Sequence, residues 1–230
     1  MTFNRYVCQP LLVCAFAYCS SAFAQSGSAA CGPLENGNGP YDFRTDRDKL
    51  PIVVGAHFTP MVEQLIRGTT SGTPGGDIDY TLRAIPNHPN ALLSMMRLAE
   101  KEKDPKPSGS RYTVECWFDR AIRFRPDDQV VRMIYTTYLT KNKRKPEAMQ
   151  QLEIVLHGAT KDNPFTHQNV GLLLVDLGEY DKALVQAHKA IELGLNRPDL
   201  RQKLQNVGKW VEPPPASEAT PAATSSEAKP

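Results

Sequence analysis

The sequence predicts an all-α protein: a short solenoid of about three helical hairpins, with an irregular N-terminal segment and a disordered C-terminal tail. Three observations predict this architecture. A short motif recurs along the chain. Apolar residues between positions 77 and 211 keep the spacing of helical faces, and the flanking segments are rich in Gly, Pro, Ser and Thr. A stack of helices that each bury one face against a neighbour accounts for the recurring motif and the apolar spacing, and the flanking segments lie outside this stack.

The recurring motif is a basic residue followed by Ala and Ile, at residues 83–85, 120–122 and 189–191. Its Ala residues are separated by 37 and then by 69 residues, and the second spacing is about twice 34. A period near 34 residues is the length of one helix–turn–helix unit of a solenoid. The motif therefore predicts a repeat domain over residues 77–211.

The unit at residues 164–197 has the clearest helical pattern. Asn163 can cap its first helix, Pro164 suits the first helical position, and Gly178 can end the helix. A second helix is predicted at residues 180–193. One face of the first helix carries the apolar residues Val170, Leu173, Leu174 and Leu177.

This unit resembles the tetratricopeptide repeat, through Gly171, Leu177, Gly178, Glu179, Tyr180, Ala183 and Ala190. The resemblance is fullest at residues 164–197 and extends to residues 130–160 and 90–126. Three residues depart from the usual pattern of Trp, Gly and Pro, namely His167, Thr136 and Leu195. The resemblance implies hairpins whose first helices line a groove, and a last helix after Pro198 that covers the open end.

In this family the groove binds protein or peptide partners, so the resemblance implies a scaffold rather than an enzyme, with no cofactor. Thr137 and Leu172 stand where a peptide-carboxylate clamp would have Asn, so we expect a mixed polar and apolar groove for an extended or helical peptide. The groove residues that the resemblance implies are Met133, Thr137, Thr140, Lys141, Gln168, Leu172, Val175 and Asp176.

The first 24 residues predict a cleaved signal peptide. Arg5 is followed by the apolar run LLVCAFAY, which is too short to span a bilayer, and cleavage is expected near Ala24. An uncleaved N-terminal anchor and a buried strand are the alternatives. Residues 57–92 are also similar to exported proteobacterial proteins that carry such repeats, which implies a periplasmic location. No later segment has the apolar length of a membrane span, so we expect a soluble mature protein.

Removal of the signal peptide would leave two cysteines, Cys31 and Cys116. An even number in an oxidising compartment predicts one disulfide between them. Two unrelated thiols are the alternative. The remaining flanks are residues 25–76, an irregular segment in which we expect one short helix from Thr59 to Gly68, and residues 212–230, a Pro-, Ala- and Ser-rich tail expected to be disordered.

The chain offers little obvious chemistry. No two of its five histidines stand at metal-binding spacing, so we expect no metal site. Asp77 and Asp79 follow two glycines, where acids favour a helix N-terminus. With His57 they form the one alternative enzymatic site that the sequence suggests.

Two basic clusters occur, at residues 120–125 and 141–145, in a chain of formal net charge +2. We expect both at the surface and no nucleic-acid partner, because export argues against one. The sequence therefore predicts a periplasmic scaffold or adaptor for envelope or secretion-complex assembly. The alternatives are an enzyme and a permanent subunit of a transporter or polysaccharide export complex. The oligomeric state is left open.

Overall fold

The computed structural model describes residues 31–158 and 162–213. This part of the chain contains ten α-helices and no strand, so the predicted all-α class is confirmed. The predicted signal peptide (1–24) and all but the first two residues of the predicted tail (212–230) lie outside the described residues. Within the described residues, no helix combines the length and apolarity needed to cross a membrane.

The helices follow one another with short connections. They are α1 (Leu50–His57), α2 (Pro60–Glu63), α3 (Pro74–Ala84), α4 (Pro89–Glu102), α5 (Val114–Phe124), α6 (Gln129–Lys141), α7 (Lys145–His157), α8 (Pro164–Asp176), α9 (Tyr180–Glu192) and α10 (Pro198–Asn206).

The helices pack as successive pairs. Helix α4 contacts α5, α6 contacts α7, and α8 contacts α9. The first helices of these pairs also contact one another, so that α2, α4, α6, α8 and α10 form a continuous row. Helix α3 packs against α1, α2 and α4 at the start of this row. The helices therefore build a repeat-like stack in which each pair packs against the next.

Helix starts follow from local chemistry. Side chains at five N-cap positions accept hydrogen bonds from backbone N–H groups of the first turn, which has few other partners: Thr73, His88, Thr113, Asp128 and Asn163. Proline occupies one of the first two helical positions in α3, α4 and α8. The predicted start of α8 at Asn163 and Pro164 is confirmed.

Two main apolar cores run along the stack. The first centres on α3, α4 and α5 and includes Trp117 and Phe118, both almost fully buried. The second joins α6 to α10 and includes Leu139, Leu174 and Leu200. A smaller cluster joins α1 to the end of α3.

The N-terminal segment differs from its prediction of one short helix from Thr59 to Gly68. Helix α2 ends already at Glu63, and Leu65 then has a positive φ of 58°. Helix α1 lies upstream, at Leu50–His57, and α3 begins at Pro74, inside the segment predicted to be irregular. Tertiary packing explains α1, since Leu50 and Val53 are buried in one cluster with Ala84 and Ile85.

Residues 31–49, here called the strap, contact α3 and α5. Cys31 is bonded to Cys116 of α5 with an S–S distance of 2.05 Å, which confirms the predicted disulfide. Arg120 donates to the carbonyl oxygens of Cys31 and Pro33, and Arg123 donates to that of Gly32. The expected surface position of this basic cluster is wrong for Arg120, which is only 2% exposed, because its guanidinium anchors the strap.

Candidate functional site

An open groove of about 300 Å³ lies between α6 and α8. Its lining is mostly apolar, with one hydroxyl and one amide: Val130, Met133, Ile134, Thr137, Asn169, Leu172 and Leu173. The α6 residues follow one another at three- and four-residue spacing, which places them on one face of that helix. The α8 residues share a face in the same way. The groove is therefore formed by one face of α6 and one face of α8, which lie side by side in the stack.

Two apolar side chains stand exposed at the start of these helices. Val130 is 49% exposed at the second position of α6, and Phe165 is 54% exposed at the second position of α8. The two positions are 35 residues apart, one repeat length. Phe165 lies one turn before Asn169, which lines the groove. Exposed apolar side chains beside an apolar groove are typical of a binding surface.

Three of the predicted groove residues, Met133, Thr137 and Leu172, line this groove together. Two others from α6 lie farther along the helix. The Thr140 hydroxyl donates to the Thr136 carbonyl oxygen at 2.8 Å, and the Lys141 ammonium donates to Glu100 of α4 at 2.7 Å. Lys141 lines a separate hollow of about 280 Å³ between α4 and α6.

The remaining three predicted residues belong to α8, and two of them contact α10. Gln168 is buried, and its amide donates to Asp199 at 2.6 Å, while Asp176 accepts from Lys203 at 2.8 Å. Val175 is half-buried and packs against the second core. The structure thus separates these side chains from the groove between α6 and α8.

The sequence reasoning missed Val130, Phe165, Asn169 and Leu173. For Phe165 a signal was present, since it is a bulky apolar residue directly after the predicted helix start at Pro164. Val130 is the equivalent residue 35 positions upstream, at the start of the repeat predicted at residues 130–160. Asn169 and Leu173 follow once α8 is known to begin at Pro164, because they fall on the same face as Phe165 and Leu172.

His57 and Asp77, two of the residues in the alternative enzymatic site, are brought together. The Nδ1 atom of His57 lies 2.9 Å from Oδ1 of Asp77, and the His57 ring stacks on Tyr80 with centroids 3.8 Å apart. Asp77 is fully buried and also accepts hydrogen bonds from the backbone N–H groups of Thr69, Thr70 and Ser71. Burial alone would raise the pKa of Asp77, but the hydrogen bond with His57 and those from Thr69 and Ser71 outweigh it and lower the pKa.

Asp79 does not join this pair. Its carboxylate accepts from Arg83 at 3.0 Å and from the backbone N–H of Arg111 at 2.7 Å. Asp77 therefore fixes the loop after α2, while Asp79 fixes the connection between α4 and α5. His57, Asp77 and Asp79 therefore do not form a single site.

A buried charged network joins the strap to two helix connections. Asp42 is 1% exposed and accepts from Arg44, Asn87 and Arg125, and Asn87 also donates to Asp128 at 2.9 Å. Burial would raise the pKa of Asp42, but the hydrogen bonds from Arg44, Asn87 and Arg125 outweigh it and hold the pKa well below its usual range.

A second opening, here called the cleft, lies beside this network and has a volume of about 660 Å³. The strap, the connection between α5 and α6, and helices α6 and α7 contribute to it. Its lining is Arg44, Pro126, Asp127, Gln129, Arg132, Gln150, Glu153, Ile154, His157 and Gly158. The sequence analysis assigned none of these residues to a functional site.

Within residues 31–158 and 162–213, no group of three or more His, Cys, Asp or Glu side chains is arranged to hold a metal ion. Comparison with known protein families, with curated proteins and with solved structures found no match.

Proposed function

We propose that the chain is a tetratricopeptide-type scaffold that binds a peptide segment of a partner protein in the groove between α6 and α8. The observation that carries the proposal is the row of mostly apolar residues from Val130 to Leu173 in that groove, with Phe165 exposed beside it. Val130 and Phe165 are exposed and Met133, Leu172 and Leu173 are half-buried, and a partner that covers these apolar groups would remove them from water.

The order of helix contacts supports a tetratricopeptide-type arrangement. In such a stack each first helix packs on its own second helix and on the next first helix, and α4 to α10 make these contacts. Gly171 supports it too, since a Cβ atom there would meet the side chain of Leu200. The first helices α4, α6 and α8 then face the same side, which forms the concave surface.

The groove suits a peptide with bulky apolar side chains. Met133, Leu172 and Leu173 offer apolar contact, while the Thr137 hydroxyl and the Asn169 amide can hydrogen-bond a peptide backbone. Lys141, the basic residue predicted for this surface, is already paired with Glu100. The partner is therefore recognised through apolar side chains rather than through a terminal carboxylate.

We place this scaffold in the bacterial periplasm, in assembly of an envelope or secretion complex. The signal peptide that the sequence predicts at residues 1–24 supports this location. The Cys31–Cys116 disulfide is compatible with it, because such bonds persist in oxidising compartments.

Site-specific photo-crosslinking in intact cells tests the proposed groove. A photoreactive residue at Thr137 or Asn169 is expected to capture a partner protein, and the same residue at exposed Val185 on α9 serves as the control. The substitution Leu172→Arg is expected to abolish the crosslink, because a charge would be buried against the peptide, while Val185→Arg leaves it intact. Equal crosslinking from both faces would contradict the proposal.

The two rival functions make different predictions. An enzyme that uses His57 would lose its activity in His57→Ala while Leu172→Arg keeps it. A permanent accessory subunit would purify as one dominant stoichiometric complex at high salt and dilution. A transient scaffold would yield its partner only after crosslinking.

A further inference from the structure

We propose that the cleft is a second binding site, which takes a small ligand or a peptide end through one carboxylate group held by Arg132. The site is separate from the groove between α6 and α8. Arg132 follows Val130 by two residues, so the two side chains lie about 200° apart around α6.

Arg132 is the residue that points to an anionic ligand. It is 8% exposed, and its guanidinium donates from Nε and Nη2 to the Pro126 carbonyl oxygen at 3.0 and 2.8 Å, and from Nη1 to the Gln151 side-chain oxygen at 2.7 Å. Both acceptors are neutral. A guanidinium has five N–H donors, so two remain without a partner among the described residues.

A buried cation without an anionic partner is costly, and burial lowers the pKa of Arg132 accordingly. Arg120 provides the contrast within this molecule. It is also buried, but it is enclosed by the strap carbonyl groups and by the rings of Tyr112 and Trp117. Arg132 instead lines an opening wide enough for a ligand.

The remaining lining sets the chemistry of that ligand. Arg44 stands at the rim, where Asp127 accepts from its Nη1 at 2.8 Å. His157 donates from Nδ1 to the Glu153 carbonyl oxygen at 2.7 Å, so its Nε2 can accept a hydrogen bond from an N–H group of the ligand. Pro126 and Ile154, the latter 41% exposed, provide apolar contact.

These neighbours favour a single carboxylate over a phosphate group. The Glu153 side chain lines the cleft, and among the described residues it has no ion-pair partner, so it repels a second negative charge. A planar carboxylate also matches two parallel N–H groups of a guanidinium. A volume of about 660 Å³ lies within the range of small-ligand sites, so an amino-acid derivative or a short peptide end would fit.

Binding is measured by NMR titration of the full chain with its disulfide formed, observing the Ile154 methyl and Gln150 side-chain amide signals. The probes are N-acetyl-leucine, the peptide N-acetyl-Ala-Ala-Leu, the C-terminal amide of each, and inorganic phosphate. Saturable shifts are expected with both carboxylates and not with the amides. Tighter binding of the amino-acid derivative or of the peptide then distinguishes a free metabolite from a protein C-terminus.

Three exposed variants that keep Arg132 test the role of charge without disturbing the core. Gln150→Glu adds a negative charge to the cleft and is expected to weaken carboxylate binding about three- to tenfold. Glu153→Gln removes one and is expected to strengthen binding by a similar factor. Gln205→Glu makes the same change as the first variant on α10, away from the cleft, and is the matched control.

The proposal is overturned if neither carboxylate ligand gives a saturable shift at concentrations up to about 10 mM. It is overturned as well if the amides or phosphate bind at least as tightly as the carboxylates, or if Gln150→Glu and Glu153→Gln change the affinity in the same direction. Leu172→Arg is expected to leave this titration unchanged, so the failure of one site is distinguishable from the failure of the other.

Discussion

At the scale of single residues, the fold depends on buried polar side chains that hydrogen-bond to the backbone. His88 is 4% exposed, accepts from the Ala91 backbone N–H at the start of α4, and lies between the rings of Phe43 and Phe58. Burial lowers its pKa to about 4, so it is neutral in the folded protein at neutral pH. Protonation would remove the acceptor and place a charge among rings.

His88 predicts acid sensitivity in a defined range. The unfolded side chain titrates near pH 6.5 and the folded one near 4, so the unfolded chain binds more protons between these values and stability falls as the pH is lowered. The free energy of unfolding should drop by roughly 2 kcal/mol from pH 7 to 4.5. Denaturant unfolding of the wild type and of His88→Asn, which keeps a capping oxygen, measures this.

The expected result is that His88→Asn is less stable at pH 7 but loses much less stability on acidification. At pH 4.5 the carboxylates of Asp42 and Asp77 remain ionised in the folded protein, because their pKa values are lowered. An equal pH dependence in wild type and variant would show that another group titrates in this range.

Asp77 carries a second prediction. Asp77→Asn keeps the shape of the side chain but replaces one acceptor oxygen by a donor that faces backbone N–H groups. We expect a loss of about 2–3 kcal/mol in the free energy of unfolding and faster proteolysis at residues 69–71. Asp162→Asn, at an exposed position, is the control and should change neither quantity.

At the scale of elements, the sequence predicted those helices that carry their own boundaries. Helix α8 begins at Pro164 after an Asn cap, and α9 begins at Tyr180 after Gly178, as expected. Helix α1 was not predicted. Its sequence LPIVVGAH has three β-branched residues and a Gly, which disfavour a helix, and it forms through burial of Leu50 and Val53 against α3.

The groove was predicted in part for a similar reason. Repeat position alone identified Met133, Thr137 and Leu172, because those positions depend only on which way a helix face points. It could not show that α10 would engage Gln168 and Asp176, since that requires the docked position of the last helix. The cleft lay beyond prediction because the strap supplies Arg44 from more than 80 residues away from Asp127.

Two glycines test the packing of elements. A Cβ atom at Gly171 would meet the side chain of Leu200, whereas a Cβ atom at Gly55, within α1, would have nothing within 4 Å. Gly171→Val should therefore cost roughly 1–3 kcal/mol by overpacking α8 against α10. Gly55→Ala should stabilise the protein by about 0.5–1 kcal/mol, because Ala favours a helix. Thermal and denaturant unfolding measure both, and a loss in Gly55→Ala would contradict the open surface of α1.

At the scale of the whole molecule, the disulfide and the Arg120 contacts hold the strap against the stack. The bond closes a loop of 85 residues, so its removal should lower the free energy of unfolding by about 4 kcal/mol in the chain-entropy model. The double substitution of Cys31 and Cys116 by Ser, compared with the oxidised wild type, measures this loss. Identical midpoints for the oxidised and reduced wild type would contradict it.

The strap bond also divides the chain mechanically. It encloses α1 to α4 in a covalent ring between residues 31 and 116, while α6 to α10 lie outside the ring. A force applied between Cys31 and the C-terminus bypasses residues 32–115 and extends only the chain after Cys116. A protease or translocase that pulls from the C-terminus would unravel α10 through α6 in turn. It would then reach the covalent ring, where two segments of chain would have to pass together unless the disulfide is reduced.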